Sequence, residues 1–195
     1  MKNQILILED QLKPDQCNQL IQWFEEDEEH HTPGALGAGV VVENIKHSTD
    51  LGLDFRDRSC RYREVLLPIV TSGMTRYTDH YPFVLELAPW GVTNAYNIQR
   101  YTDGEGFFKL HCEAMTKVNW NRMVAWTLYL NDSPCGTDYP EQETVVEAKQ
   151  GRLALFPATW THPHKGVTPN VGTKYIATGW IEMVDGEQAY HVFNK

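Results

Sequence analysis

The run His111-Cys112-Glu113 sets an imidazole and a carboxylate two residues apart. Side chains alternate along a strand, so residues at this spacing share a face and can converge on one ion without distorting the backbone. A second group, Phe156-Pro157-Ala158-Thr159-Trp160-Thr161-His162-Pro163-His164, offers two more imidazoles where an apolar strand hands over to a loop. One of these, with His111 and Glu113, would complete a two-histidine, one-carboxylate set that grips iron(II) on one side and leaves about three positions open. Zinc is the poorer match. Its catalytic sites usually keep one open position, and the helical H-E-x-x-H spacing is absent.

H-x-E recurs by chance, so a third group decides the reading. Lys174 opens the stretch Lys174–Glu182, in which Lys174, Ile176, Thr178 and Trp180 share one face and Tyr175, Ala177, Gly179 and Ile181 the other. An ammonium pointing inward from a strand start is costly to bury without an anion. A co-substrate carboxylate would supply that anion. Tyr129, with Thr127 on the same face of its own strand, adds hydroxyl donors.

Two kinds of element must position these groups. Ile5–Leu8 reads as a short strand, and Pro14 opens a helix to about Glu29 with Cys17, Leu20, Ile21 and Phe24 at helical spacing. Thr32–Gly39 reads as a loop. A second helix is predicted from Cys60 to about Thr78, with Tyr62, Val65, Leu66, Ile69 and Val70 inward and Pro68 as a candidate kink. Beyond Pro89, Thr93–Tyr101, Arg122–Leu130, Thr144–Glu147, Arg152–Phe156 and Lys174–Glu182 are rich in β-branched and aromatic residues. Turn chemistry separates them at 103–106, 131–134, 149–151 and 169–172. Helices followed by a run of strands predict an α+β chain whose strands close into a sandwich or barrel.

The 195 residues suit one domain, 1–195, with a helical part over 1–90 and a β core over 91–184. Seventeen Lys and Arg against 26 Asp and Glu give a net charge of −9, which disfavours non-specific binding to nucleic acid. No run approaches the roughly 18 apolar residues of a membrane span, and the opening residues do not pattern as a signal peptide. The cytoplasm is therefore the expected compartment. The four cysteines form no C-x-x-C pair, so reduced thiols are expected.

From Tyr96 to Glu182 above all, the chain resembles the 2-oxoglutarate/iron(II) oxygenases of the prolyl 4-hydroxylase-like group. Gln99 through His111 is similar to that family's Y-x-x-G…(Y/F)-x-x-H approach to its first metal histidine, and Arg122 through Asn131 to its R…YLN strand. His164 with Lys174 matches its H-x(9)-K spacing, and Trp180 falls at a position usually aromatic there. The resemblance implies a double-stranded β-helix (jelly roll) core with the N-terminal helices packed on one sheet. It implies iron held by His111, Glu113 and His164, selecting His164 over His162. Lys174 and Tyr129 would hold the distal carboxylate of 2-oxoglutarate, with Tyr101, Thr127 and Trp180 in the same pocket. Dioxygen is then a co-substrate and ascorbate a candidate reductant. Two departures stand out: Glu113 where the family usually has Asp, and Gly136-Thr137-Asp138-Tyr139-Pro140 where it has tandem glycines, in a loop that often borders substrate.

The expected reaction is hydroxylation, with peptidyl proline the leading substrate. A free amino acid, a small metabolite or a nucleobase is the alternative within the same chemistry, and a non-catalytic jelly-roll binding module is the alternative outside it. Arg122 is a candidate substrate contact, with a surface ion pair the plainer reading. His30, His31, His47, His80 and His191 are expected to be ordinary polar residues. His162 is expected to pack or to orient the site, Cys112 to be core, and Trp90, Trp120, Trp126 and Trp160 to be core or pocket wall.

Overall fold

The computed structural model describes residues 3–36, 39–87, 89–167 and 172–184. His191 and most of the predicted turn at 169–172 lie outside them. In chain order the elements are β1 (Leu6–Leu8), α1 (Pro14–Glu26), β2 (Thr32–Pro33), β3 (Lys46–His47), β4 (Thr49–Asp54), α2 (Arg61–His80), β5 (Trp90–Tyr101) and β6 (Gly106–Phe107). There follow β7 (Arg122–Tyr129), β8 (Ser133–Tyr139), β9 (Thr144–Ala148), β10 (Leu153–Pro157), β11 (Lys165–Gly166) and β12 (Lys174–Met183). A seven-stranded sheet runs β1-β10-β7-β12-β5-β4-β2, facing a three-stranded sheet β11-β8-β9; β3 and β6 pair separately. The pairings are antiparallel.

Alternation along the strands makes two cores. Ala177 and Ile181 of β12, Trp126 and Leu128 of β7 and Leu153 and Leu155 of β10 meet Leu20 and Phe24 of α1 and Leu66, Val70 and Met74 of α2. The opposite residues, Ala125, Tyr129, Ala154 and Phe156, meet Tyr139, Val146 and Ala148 of the small sheet. Helices thus seal one face of the large sheet while the small sheet roofs the other, which is the jelly-roll arrangement. Each core leucine or phenylalanine removed from water contributes roughly 1.5–3 kcal/mol.

Several expectations need adjustment. Helix α1 ends at Glu26, three residues early, where a 3₁₀ turn takes over at Glu28–His30. Pro68 lies inside α2 on its exposed side, so the carbonyl that its ring leaves unpaired faces water and the helix continues to His80. The first ninety residues are not only helical, since β1 closes one edge of the large sheet and β4 and β2 extend the other. The second half of the predicted turn at 131–134 and the loop after it become β8, in which Gly136 allows an unusually close approach to β9. A Cβ there would sit 1.8 Å from the Val146 carbonyl oxygen and 2.9 Å from Glu147 Cα.

Gly136→Ala should therefore force β8 and β9 apart, costing about 1–3 kcal/mol. A thermal melt showing an unchanged midpoint would contradict this packing.

Candidate active site

A cavity of about 620 Å³ opens between the sheets, lined by β4, β5, β7, β8 and β12 and by the segments around 111 and 164. The sequence places a strand through His111 and Glu113, but the structure makes it irregular: His111 forms an isolated antiparallel bridge with His164. Their backbones exchange two hydrogen bonds, His111 N–H to the His164 carbonyl at 3.0 Å and His164 N–H to the His111 carbonyl at 2.7 Å. Glu113 and Ala114 both donate to the Ala158 carbonyl. This bend, rather than strand alternation, turns Glu113 toward the histidines.

His111, Glu113 and His164 each offer one ligand atom, and those atoms lie within 4.8 Å of one another. Glu113 Oε1 is 3.3 Å from His164 Nε2 and 3.7 Å from His111 Nε2. Each imidazole is fixed from behind. His111 Nδ1 lies 2.9 Å from the Lys109 carbonyl and His164 Nδ1 lies 3.0 Å from the His162 carbonyl. A carbonyl only accepts, so each Nδ1 carries the hydrogen and each Nε2 keeps its lone pair for an ion. Phe107 stacks on His111, with ring centroids 3.6 Å apart. In the metal-free site burial opposes ionisation of Glu113, yet hydrogen bonds and positive charge from His111 and His164, when protonated at Nε2 as well, outweigh it and hold the carboxyl well below its usual range. Two neutral imidazoles and a carboxylate on one side of an open cavity fit iron(II) with positions to spare.

The remaining predicted residues line the same cavity: Tyr101, Thr127, Tyr129, Lys174, Trp180 and Arg122. Lys174 is 3% exposed. Its Nζ donates to the Val167 carbonyl at 3.1 Å and the Gly136 carbonyl at 3.4 Å, and sits 4.9 Å from the Tyr101 ring centroid. No carboxylate pairs with it among the described residues, and burial pulls its pKa from 10.5 to about 8. Tyr129 Oη is 2.8 Å from Thr137 Oγ1, and burial pushes its pKa to about 12. Arg122 is neither at the surface nor turned to open solvent. Its guanidinium lies 3.5 Å from the Trp180 ring centroid, donates to the Glu113 carbonyl at 3.2 Å and reaches Glu182 at 3.4 Å.

His162 packs as expected, while the expectations for Cys112 and for two of the tryptophans fail. His162 is buried, but its ring turns away to the Asn3 carbonyl at 2.7 Å; only its own carbonyl serves the site. Cys112 is half-buried and lines the cavity instead of joining the core. Trp90 and Trp126 are core, whereas Trp120 and Trp160 are 76% and 81% exposed. The sequence reading also missed one wall. Asp50 accepts from Lys46, from Ser48 Oγ at 2.7 Å and from Gln99 Nε2 at 3.0 Å, while Tyr101 Oη donates to Gln99 Oε1 at 2.8 Å. Gln99 was legible as the same-face neighbour of Tyr101, two residues back on β5. Lys46 and Asp50 carried no such signal.

A jelly roll thus brings two histidines, a carboxylate and a buried lysine into one cavity, a donor set that suits a non-haem iron centre. Residues 96–182, the stretch that carries His111, Glu113, His164 and Lys174, match the family model of the 2OG-Fe(II) oxygenase superfamily. Among solved structures the chain is similar to a Trichoplax adhaerens prolyl hydroxylase in complex with a hypoxia inducible factor peptide fragment. The two share 21% identity over 93% of this chain and 84% of that one, with a TM-score of 0.74. A Pseudomonas putida prolyl-4-hydroxylase is 18% identical over 94% of this chain and 95% of its own, with a TM-score of 0.69. A viral collagen prolyl hydroxylase from Paramecium Bursaria Chlorella virus-1, in its 2OG complex, is 15% identical over 94% and 98%, with a TM-score of 0.68. No curated protein matches by sequence.

The Lys174 ammonium is a liability in the ligand-free fold. A displacement from 10.5 to about 8 corresponds to about 3 kcal/mol. Because the unfolded chain holds this proton more tightly, stability lost below pH 8 is regained as pH rises from about 8 to 10.5. Lys174→Met should raise ligand-free stability at pH 7 and flatten that rise; denaturant titrations at pH 7 and 10 check both.

Proposed function

We propose that this chain hydroxylates peptidyl proline, using iron(II) held by His111, Glu113 and His164 and 2-oxoglutarate anchored by Lys174. The observation that carries the reading is the buried Lys174, paired with no carboxylate among the described residues, facing the same cavity as His111, Glu113 and His164. When bound, iron with 2-oxoglutarate and dioxygen supplies the oxidising chemistry, in which decarboxylation to succinate and CO₂ accompanies hydroxylation.

The protein's own residues perform the rest. Lys174 donates to the distal carboxylate, and Tyr129 and Thr127 present hydroxyls from the adjacent strand β7. Tyr101 covers the ammonium with its ring, and the Asp50–Gln99 hydrogen bond fixes Gln99 and, through it, Tyr101. The buried phenols of Tyr101 and Tyr129 stay protonated and so act as donors. Sheet walls on several sides exclude water from the reacting end.

A proline-bearing peptide is favoured by the exposed apolar residues on the loops that carry the site. Met115, Val118 and Trp120 lie on the segment after Glu113, and Trp160 on the segment before His164; all are more than half exposed. Flat indoles and thioethers suit the apolar rings of an extended proline-containing strand, whose backbone makes no internal hydrogen bonds. The Trichoplax relative is itself bound to a peptide.

Incubation with iron(II), 2-oxoglutarate, ascorbate and air should oxidise proline-rich peptides by one oxygen, with one succinate released for each. Succinate without peptide oxidation would turn the reading to a small substrate, and no succinate from iron-loaded protein would leave only a binding module. Lys174→Ala should weaken 2-oxoglutarate by roughly 3–5 kcal/mol. In the parent chain that affinity should fall as pH rises past about 8, where the ammonium loses its proton. Calorimetry with an inert divalent metal checks both, and a pH-independent affinity would remove Lys174 from the role.

A further inference from the structure

We infer that Trp180, braced by Arg122, is a positioning residue for Glu113, and that this clamp is what makes a glutamate the correct carboxylate in this chain. The inference rests on the reading of His111, Glu113 and His164 as metal ligands, and it concerns which of the two Glu113 oxygens is available and where it sits.

Trp180 Nε1 donates to Glu113 Oε2 at 2.7 Å. Arg122 Nη1 approaches the same oxygen at 3.6 Å. The histidines face the other oxygen, Oε1, at 3.3 and 3.7 Å. The carboxylate is therefore divided: one oxygen is engaged by a neutral donor and a cation, and only the second is turned to the ion. A charged hydrogen bond of this kind orients a ligand strongly.

Both clamp residues are held on the sheet. Trp180 stands on β12 opposite Ala125 of β7. On its other side the register slips from Gly179↔Tyr96 to Ile181↔Val92, so three residues of β5 oppose Trp180 alone. Such bulges re-aim side chains beside active sites. Arg122 lies flat on the indole, with Cζ 3.5 Å from the ring centroid, and its Nε reaches Glu182, which stands across from it in the β7–β12 register. Asn121 Nδ2 in turn donates to Glu182 Oε2 at 3.3 Å. The chain Asn121–Glu182–Arg122–Trp180–Glu113 thus fixes the donor before any metal arrives.

An aspartate at 113 would be shorter by up to about 1.5 Å, one C–C bond. It could meet the indole N–H or the histidines, but not both from this backbone position. The extra methylene is matched to the placement of Trp180.

The test is a double-mutant cycle read as Co(II) affinity by absorption titration, using the full chain without 2-oxoglutarate. Glu113→Asp and Trp180→Phe should each weaken Co(II) by about 10- to 100-fold. The double variant should bind within threefold of the weaker single variant, since Asp no longer competes for a donor. Trp180→Phe keeps a ring under Arg122 and removes only the N–H, and melts of the metal-free variants check folding. Should Trp180→Phe not fold, Glu113→Asp alone decides. Unchanged Co(II) affinity in Glu113→Asp, or strictly multiplicative losses in the cycle, would overturn the inference. His164→Ala is run beside them: loss of Co(II) there with no loss in the clamp variants removes the clamp alone, whereas retained Co(II) removes the site reading and the clamp with it.

Discussion

Two backbone hydrogen bonds between His111 and His164 govern this molecule. They tie a segment following β6 to one preceding β11, and in doing so oppose two imidazoles whose ring centroids are 4.5 Å apart. Neither segment is regular strand, so both depend on what flanks them. The His164 side is held where β11 pairs with β8, and the His111 side by Phe107 on β6 and by the shared Ala158 carbonyl. Ala158 itself donates to the Met123 carbonyl near the start of β7. The corner that holds His111, Glu113 and His164 is thus hung between the two sheets, and its geometry is as rigid as their separation.

That separation also creates the electrostatic problem on which the function turns. The cavity holds cations and anions in unequal partnership. Lys46 is matched with Asp50, and Arg122 is shared between Glu113 and Glu182. Lys174 has carbonyl oxygens and an aromatic face, and no carboxylate, among the described residues. A buried ammonium without a counter-charge costs stability, and such groups persist where ligand binding draws on them. The fold carries a local penalty on β12 that a ligand carboxylate would relieve.

Much of this was legible in the sequence, for identifiable reasons. Alternation placed Lys174, Ile176, Thr178 and Trp180 on one face of β12, and all four line the cavity. The same rule found Thr127 with Tyr129, because β7 and β12 are long and central and their two faces meet different cores. It failed where pairing is short. The edge strands β2 and β3 have two residues each and leave no pattern, so Lys46 went unseen. It also misjudged Cys112: alternation sends it to the face opposite its neighbours, but the chain bends there to bond Ala158, and the thiol meets the cavity. The choice between His162 and His164 was not readable from periodicity, since both are even-numbered steps from the strand end. The spacing to Lys174 that the resemblance supplies selected His164, and the contact of His162 Nε2 with Asn3, at the far end of the chain, agrees with it.

The division of labour between sheet and loop follows from the same geometry. Groups that would touch the metal-bound end of a ligand, its far carboxylate and the clamp on Glu113 stand on or beside β5, β7 and β12, whose mutual pairing is the most extensive in the molecule. The exposed indoles and thioether stand on the loops at 114–121 and 158–164, which contribute little to either core. A strand position cannot change without repacking its neighbours, whereas a loop residue can. The chemistry is therefore written into the part of the fold that resists change, and substrate choice into the part that does not. Solved structures at 21% identity or less share this architecture, as strand pairing that tolerates exchange at the loops allows.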